Sequence, residues 1–232
     1  MNDLGQSFSE ALRLIASADD EFITIVWASL RFSLSSTILA SILGIPAGAA
    51  LAVSRLRFKQ FIEDLLNTLL AVPTVVVGLF VYTMIMHQGP MGKLNLLFTP
   101  AAIIIGQTLL ILPLVASLAC SSVSVVNPVV RETALTLGAG RMRRILTIAS
   151  EAQTALIVAC ITAFGRVVGE IGISLILGGN ILGYTRTITT AISLETSKGE
   201  FALGLALGIV LLIVAFIVSF IVRRLGRRTI WV

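Results

Sequence analysis

Five long apolar segments limit this chain more than any other feature. They fall within residues 22–53, 65–86, 100–123, 155–177 and 201–222. A helix needs roughly 20 apolar residues to cross a hydrocarbon core. The last four segments have that length. The first is longer, so it must tilt, kink or begin outside the hydrocarbon. Arg31 near its start can snorkel to the head groups. Composition agrees: 56% of the 232 residues are hydrophobic and 12% charged, with a mean hydropathy of +1.01. An average soluble domain carries about a quarter charged residues. A water-soluble globule of this size cannot hide so much apolar surface. Soluble enzyme, nucleic-acid binder and disordered protein are excluded as descriptions of the whole chain. The expected fold is an all-α polytopic membrane protein with five transmembrane helices, in a domain over 22–222.

The remaining segments are polar. Residues 1–21 carry Asp3, Glu10, Asp19, Asp20 and Glu21 against Arg13 alone. That is unlike the basic start of a signal peptide. Leu4, Phe8, Leu12 and Ile15 recur at helical spacing, which predicts an amphipathic helix on the extracytoplasmic membrane surface. Pro46, Pro73 and Pro113 sit inside apolar segments, and kinks are expected beside them. Cys120 and Cys160 lie in apolar runs with no metal-ligand spacing.

Basic residues set the expected orientation. Eleven of the 17 lie in three places: Arg55, Arg57 and Lys59; Arg131, Arg141, Arg143 and Arg144; and the tail 223–232 with Arg223, Arg224, Arg227 and Arg228. The opposite side has four: Arg13, Lys93, Arg186 and Lys198. The positive-inside rule then places the N-terminus outside and the C-terminus in the cytoplasm. The pI of about 9.9 and net charge of +5 therefore need no nucleic-acid partner.

Residues 124–151 form the longest stretch between spans. Pro128 suits the first turn of a helix. Val129, Val130, Thr133, Ala134 and Leu137 give it an apolar stripe, Gly138 and Gly140 end it, and a second helix starts near Arg141. Gly138 permits a turn at positive φ. The pattern Glu132-Thr133-Ala134, three residues, Gly138, nine residues, Ile148 resembles the EAA loop of ABC importer permeases. Thr133 stands for the first Ala of that motif, and Ser150-Glu151 for its Leu-Pro. Loss of the proline leads one to expect the second helix to run on into the fourth span. The resemblance implies a molybdate/methionine permease-like fold and a helix that docks on a cytoplasmic ATPase. It implies that Glu132, Ala134, Leu137, Gly138, Ala139 and Arg141 take part in that coupling.

Residues 164–200 narrow the resemblance. The run RVVGEIG over 166–172 is similar to oxyanion permeases for molybdate, sulfate and tungstate. The continuation GGNILGYTRTITTAI is most like the tungstate permeases. The implied function is the permease subunit of an ATP-driven oxyanion importer, with molybdate or sulfate as alternative substrates. The implied assembly is a permease homodimer, two ABC ATPases, an extracytoplasmic oxyanion-binding protein and membrane lipid, in a prokaryotic plasma membrane. ATP and Mg would be used by the ATPase, with no cofactor on this chain.

Arg166 and Glu170 stand four apart, which puts both on one face of a span-four helix. Charges inside a span usually pair or face a water path. A packing lock and a gate are both open, and Arg166 would suit an oxyanion where Glu170 would oppose one. Gly165, Gly169 and Gly172 give small-residue spacing for close helix packing. Asn180, Thr185, Arg186 and Thr189 lie in the outer loop, as packed polar groups or as a gate. Gln107 suits a hydrogen bond between helices. The run GGNILGYT has Tyr184 where a phosphate-binding loop needs lysine. His87 has no nucleophile motif around it. A free-standing channel or an intramembrane enzyme would each leave the EAA-like loop without a use.

Overall fold

The computed structural model describes residues 2–17, 19–54, 56–126, 128–138 and 140–229. The described residues form helices joined by turns. In chain order these are α1 (Asn2–Ser17), α2 (Asp20–Val53), α3 (Lys59–Leu69), α4 (Thr74–Ile85) and α5 (Pro100–Ser124). Then come α6 (Pro128–Thr136), α7 (Arg141–Glu151), α8 (Gln153–Val168), α9 (Gly172–Gly178), α10 (Ile188–Lys198) and α11 (Phe201–Thr229). A short 3-10 turn, Gly92–Leu94, precedes α5.

The long helices follow the apolar segments. Helix α2 has 34 residues, roughly 50 Å at 1.5 Å per residue, so it outruns a hydrocarbon core of about 30 Å. Asp20 and Glu21 in its first turn complement the helix dipole. Pro46 in α2 and Pro113 in α5 lie inside continuous helices, while Pro73 caps the start of α4 and ends the preceding helix. Three described helices, α2, α5 and α11, are each long and apolar enough to cross a membrane, or up to five spans if each bent pair counts as one.

Those bends correct three expectations. Segment 65–86 is no single rod: α3 and α4 meet at 97°. Pro73 has no N–H to continue the ladder of α3 and disfavours a helical residue before it. Segment 155–177 is also interrupted, because α8 ends at Val168 and α9 begins at Gly172. The third concerns α7, which does not run on straight into α8. The two are bent by 77° although no proline divides them. The bend lets Ile148 and Ala152 reach the core while Arg143 stays exposed.

The chain divides into two compact units. The first comprises Met1–Ser36, Pro73–Gln107 and Gly165–Ile217. Its core gathers Ala11, Phe22, Ile25, Ile188, Ala191, Ala206 and Leu207. Helix α1 is seated there through Ala11, Leu14 and Ile15, whereas Phe8 and Leu12 remain about half exposed. Of the expected stripe, Ile15 packs on this core and Phe8 and Leu12 face outward, while the Leu4 side chain lies outside the described residues. Helix α4 packs on α9, where a Cβ on Gly78 would meet Ile173 and Ile176.

The second unit comprises Thr37–Val72, Thr108–Phe164 and Val218–Val232. Its core joins α2 residues Ala49 and Ala52, α5 residues Ala119 and Val123, and Ile148, Ala152 and Leu156. Gly48 lets α2 and α5 touch: a Cβ there would collide with the Ala116 carbonyl and come within 2.9 Å of Ala119 Cβ. Such small-residue crossings are how helices associate where lipid supplies no hydrophobic driving force.

Candidate functional site

Two places bring together the residues singled out from sequence. The first is the turn between α6 and α7. Pro128 is the first residue of α6, and Gly138 has φ +73. That left-handed conformation costs an L-residue roughly 1–2 kcal/mol, so glycine is required by the turn itself. A Cβ on Gly138 or Gly140 would meet nothing within 4 Å. Leu137 is 80% exposed, and Val129, Met142 and Leu146 are also exposed. Glu132 is exposed on α6, Ala134 belongs to the same helix, and Arg141 opens α7. Ala139 lies outside the described residues. Ile148, the last element of the motif, is 3% exposed and anchors α7 in the core of its unit. Anchored on one side, the turn presents an apolar rim on the other.

The second place is the break between α8 and α9. Glu170 is not on the helix face expected for it, because α8 has ended by then. The pair forms all the same: Arg166 Nη1 is 3.0 Å from Glu170 Oε2. The Glu170 N–H donates to the Val167 carbonyl, a tight turn that keeps the two side chains together. Their surroundings differ sharply, with side-chain exposure of 45% for Arg166 and 4% for Glu170. Glu170 Oε1 also accepts the Gly172 N–H at 2.9 Å and the Ile173 N–H at 3.5 Å. Its charge is therefore compensated by one guanidinium and two backbone donors. Among the glycines noted here, Gly172 is in close contact, 3.1 Å from Val75 and 3.2 Å from Thr74 for a built Cβ, whereas Gly169 faces open space.

A helix break frees backbone groups that must be met inside a membrane. The Glu170 carbonyl is met twice, by the Thr189 hydroxyl at 2.9 Å and by Ser174 at 3.4 Å. From Ser174 the polar chain continues through Gln107 Nε2 (3.4 Å) and Gln107 Oε1 to Ser36 (2.9 Å). Gln107 thus makes the interhelical bonds expected of it. Sequence reading missed Ser36 and Ser174. Their one signal is a hydroxyl inside an apolar run, which many packed serines share.

The threonine-rich segment is buried rather than looped out. Thr185 and Thr190 are fully buried, and Thr187 and Thr189 nearly so. Thr187 caps α10 with a capping box completed by Thr190. The Thr185 hydroxyl donates to the Gly178 carbonyl at 2.6 Å and accepts from the Ile181 N–H at 3.0 Å. Asn180, at φ +53, donates to the Thr190 carbonyl at 3.4 Å. Arg186 Nη1 lies 3.5 Å from Glu21. Asn180 Oδ1 and Arg186 Nε are buried without a protein partner. Glu195, another residue sequence reading passed over, is 3% exposed and pairs with Lys198 at 3.0 Å.

Comparison with known proteins agrees with this architecture. The family model "Binding-protein-dependent transport system inner membrane component" matches residues 40–231. The tungstate uptake system permease protein TupB of Campylobacter jejuni is 41% identical over 199 residues, covering 86% of this chain and 83% of the relative. TupB of Peptoclostridium acidaminophilum is 36% identical over 206 residues, covering 89% and 90%. In fold, a chain of the inward-facing MetNI methionine ABC transporter superposes with a TM-score of 0.67 at 16% identity, covering 88% of this chain and 95% of that one. With a model matched over most of its length and relatives this similar, the chain belongs to the binding-protein-dependent transport system inner membrane components, the non-catalytic permease subunits of ABC importers.

Proposed function

We propose that this permease subunit carries tungstate. The observation that supports the substrate is the 36–41% identity to tungstate permeases across most of the chain. Molybdate and sulfate, tetrahedral dianions of the same charge, are the alternatives. In this reading two copies of the chain enclose the path, two ABC ATPases dock at the α6–α7 turn, and an extracytoplasmic binding protein delivers the anion. The N-terminus lies outside and the C-terminus in the cytoplasm. ATP and Mg belong to the ATPase partner.

Glu132, Ala134, Leu137, Gly138, Ala139 and Arg141 form the coupling element. An apolar, outward-facing Leu137 beside a glycine turn has the chemistry of a knob for a groove. ATP-driven approach of the two coupling elements switches the permease between two packings of similar free energy. Arg166 and Glu170 gate the path, with Asn180, Thr185, Arg186 and Thr189 holding the outer segment in register. The test is transport by the reconstituted complex, with labelled tungstate competed by molybdate and by sulfate. Tungstate uptake that survives a tenfold excess of both supports the assignment. Equal competition by either competitor removes the tungstate assignment and leaves an oxyanion permease.

A further inference from the structure

The helices α3 and α5 flank an open groove of about 210 Å³ whose lining includes Glu63, Asn67, Ser117, Cys120, Ser121 and Ser124. That is room for several waters. Ser117, Ser121 and Ser124 follow one face of α5 at helical spacing, opposite Glu63 and Asn67 one turn apart on α3. A polar face on a spanning helix is costly against lipid tails, so such faces meet protein or water. A second groove, of about 170 Å³, shares Ser124 and reaches Lys59, Val126 and Ile148. The two together follow the last turns of α5 down to the α6–α7 segment.

The charges in this trough cancel. Glu63 is 3.7 Å from Lys59 Nζ and accepts the Cys120 thiol at 3.2 Å. Ser117 donates to Asn67 Oδ1 at 2.8 Å, and the Asn67 amide still carries two N–H donors. A dianion there would meet hydroxyl and amide donors and the Glu63 carboxylate, but no uncompensated cation. Such a surface hydrates and passes an anion without retaining it.

From this we infer that the trough between α3 and α5 is the stretch of the oxyanion path nearest the ATPase side, a low-affinity exit lined by Ser117, Ser121, Ser124 and Asn67. The inference rests on the transport function proposed above and adds the residues of its exit. The test uses the complete transporter in vesicles, with ATP outside on the ATPase side and tungstate with its binding protein inside. Ser117→Cys and Ser121→Cys are treated from the ATPase side with a membrane-impermeant methanethiosulfonate bearing a sulfonate. Peptide mass spectrometry locates the label, so the native cysteines do not confuse it. Phe216→Cys, on the 72% exposed position of the apolar helix α11, serves as the comparison outside the trough.

The expected result is labelling of Ser117→Cys and Ser121→Cys at least tenfold faster than Phe216→Cys, and at least tenfold loss of tungstate transport once labelled. Labelling no faster than at Phe216→Cys overturns the inference, since lipid then covers the trough. A Ser121→Cys disulfide between two copies, without labelling, overturns it in favour of a subunit interface. Full labelling with unchanged transport also overturns it, leaving a wet crevice off the path. The unmodified transporter is the separate control for substrate. If it carries another oxyanion and not tungstate, the substrate assignment fails while the exit is read with that anion.

Discussion

Removing the Thr185 hydroxyl would strip two backbone groups of their partner at once, the Gly178 carbonyl and the Ile181 N–H. Each buried group left unmet costs about 1–3 kcal/mol. Thr185→Val is therefore expected to lose about 2–5 kcal/mol of stability, while Thr185→Ser stays within ~1 kcal/mol of the parent. Thermal unfolding in detergent checks both, and a valine variant that melts with the parent would sink this account of the loop. Arg166 and Glu170 call for an asymmetric test because only Glu170 is buried. Arg166→Gln leaves Glu170 its two backbone donors, and is expected to cost about 1–2 kcal/mol. Glu170→Gln presents an N–H2 or a weaker acceptor to groups arranged for a carboxylate, and is expected to cost about 2–3 kcal/mol. Adding Arg166→Gln to Glu170→Gln should cost little more, because the half-exposed guanidinium is left to solvent either way. If the double variant assembles well but transports at background, Arg166 also guides the anion. Equal and negligible effects of both single changes would show that these side chains answer to water rather than to each other.

At the scale of elements, the α6–α7 turn and the α2–α5 crossing make different predictions, one for an exposed leucine and one for a packed glycine. Gly138 has open space around its Cβ position and Leu137 is 80% exposed. Leu137→Glu should therefore leave insertion and stability near the parent, within about 0.5 kcal/mol, yet reduce co-purification of the ATPase at least tenfold. Retained co-purification together with retained uptake would contradict the coupling role. Gly48 is the reverse case. Its Cβ would run into the Ala116 carbonyl and the backbone of Cys120, so Gly48→Ala is expected to cost about 1–3 kcal/mol as overpacking, read as lower yield and melting temperature. The roles of Pro128 and Gly138 are legible in the sequence, because each acts through its own backbone. The break at Glu170 is not. Residues 155–177 have the length of one span despite Arg166 and Glu170, and the pairing that makes a break tolerable comes from Ser174 and Thr189, the latter 19 residues away. The bend at Ala152 is likewise hidden, since it depends on Ile148 finding Ala119, Val123 and Ala49 in the same core.

For the whole molecule, the eleven-to-four division of basic residues predicts sidedness that labelling can read. Gly5→Cys should react with an impermeant thiol reagent from outside in intact cells, and Arg227→Cys only from inside in inverted vesicles. Both reacting from one side would mean that a bent pair of helices does not cross. Hydropathy alone determined that this is a helical membrane protein, because no soluble fold can bury a chain that is 56% hydrophobic and 12% charged. Local backbone chemistry determined the helix start at Pro128 and the turn at Gly138, and the motif around them pointed to the family. What tertiary structure alone decided is where polar groups end up. Thr185, Thr187, Thr189 and Thr190 have the composition of an exposed loop, and they are buried because the Gly178 carbonyl receives Thr185, the Glu170 carbonyl receives Thr189, and Thr187 and Thr190 bond each other. Ser117, Ser121 and Ser124 have the composition of ordinary packing serines, and they line a groove because Glu63 and Asn67 of α3 lie across from them. Composition and periodicity act along the chain, whereas the fate of a hydroxyl in low dielectric depends on partners that folding brings from far away in sequence.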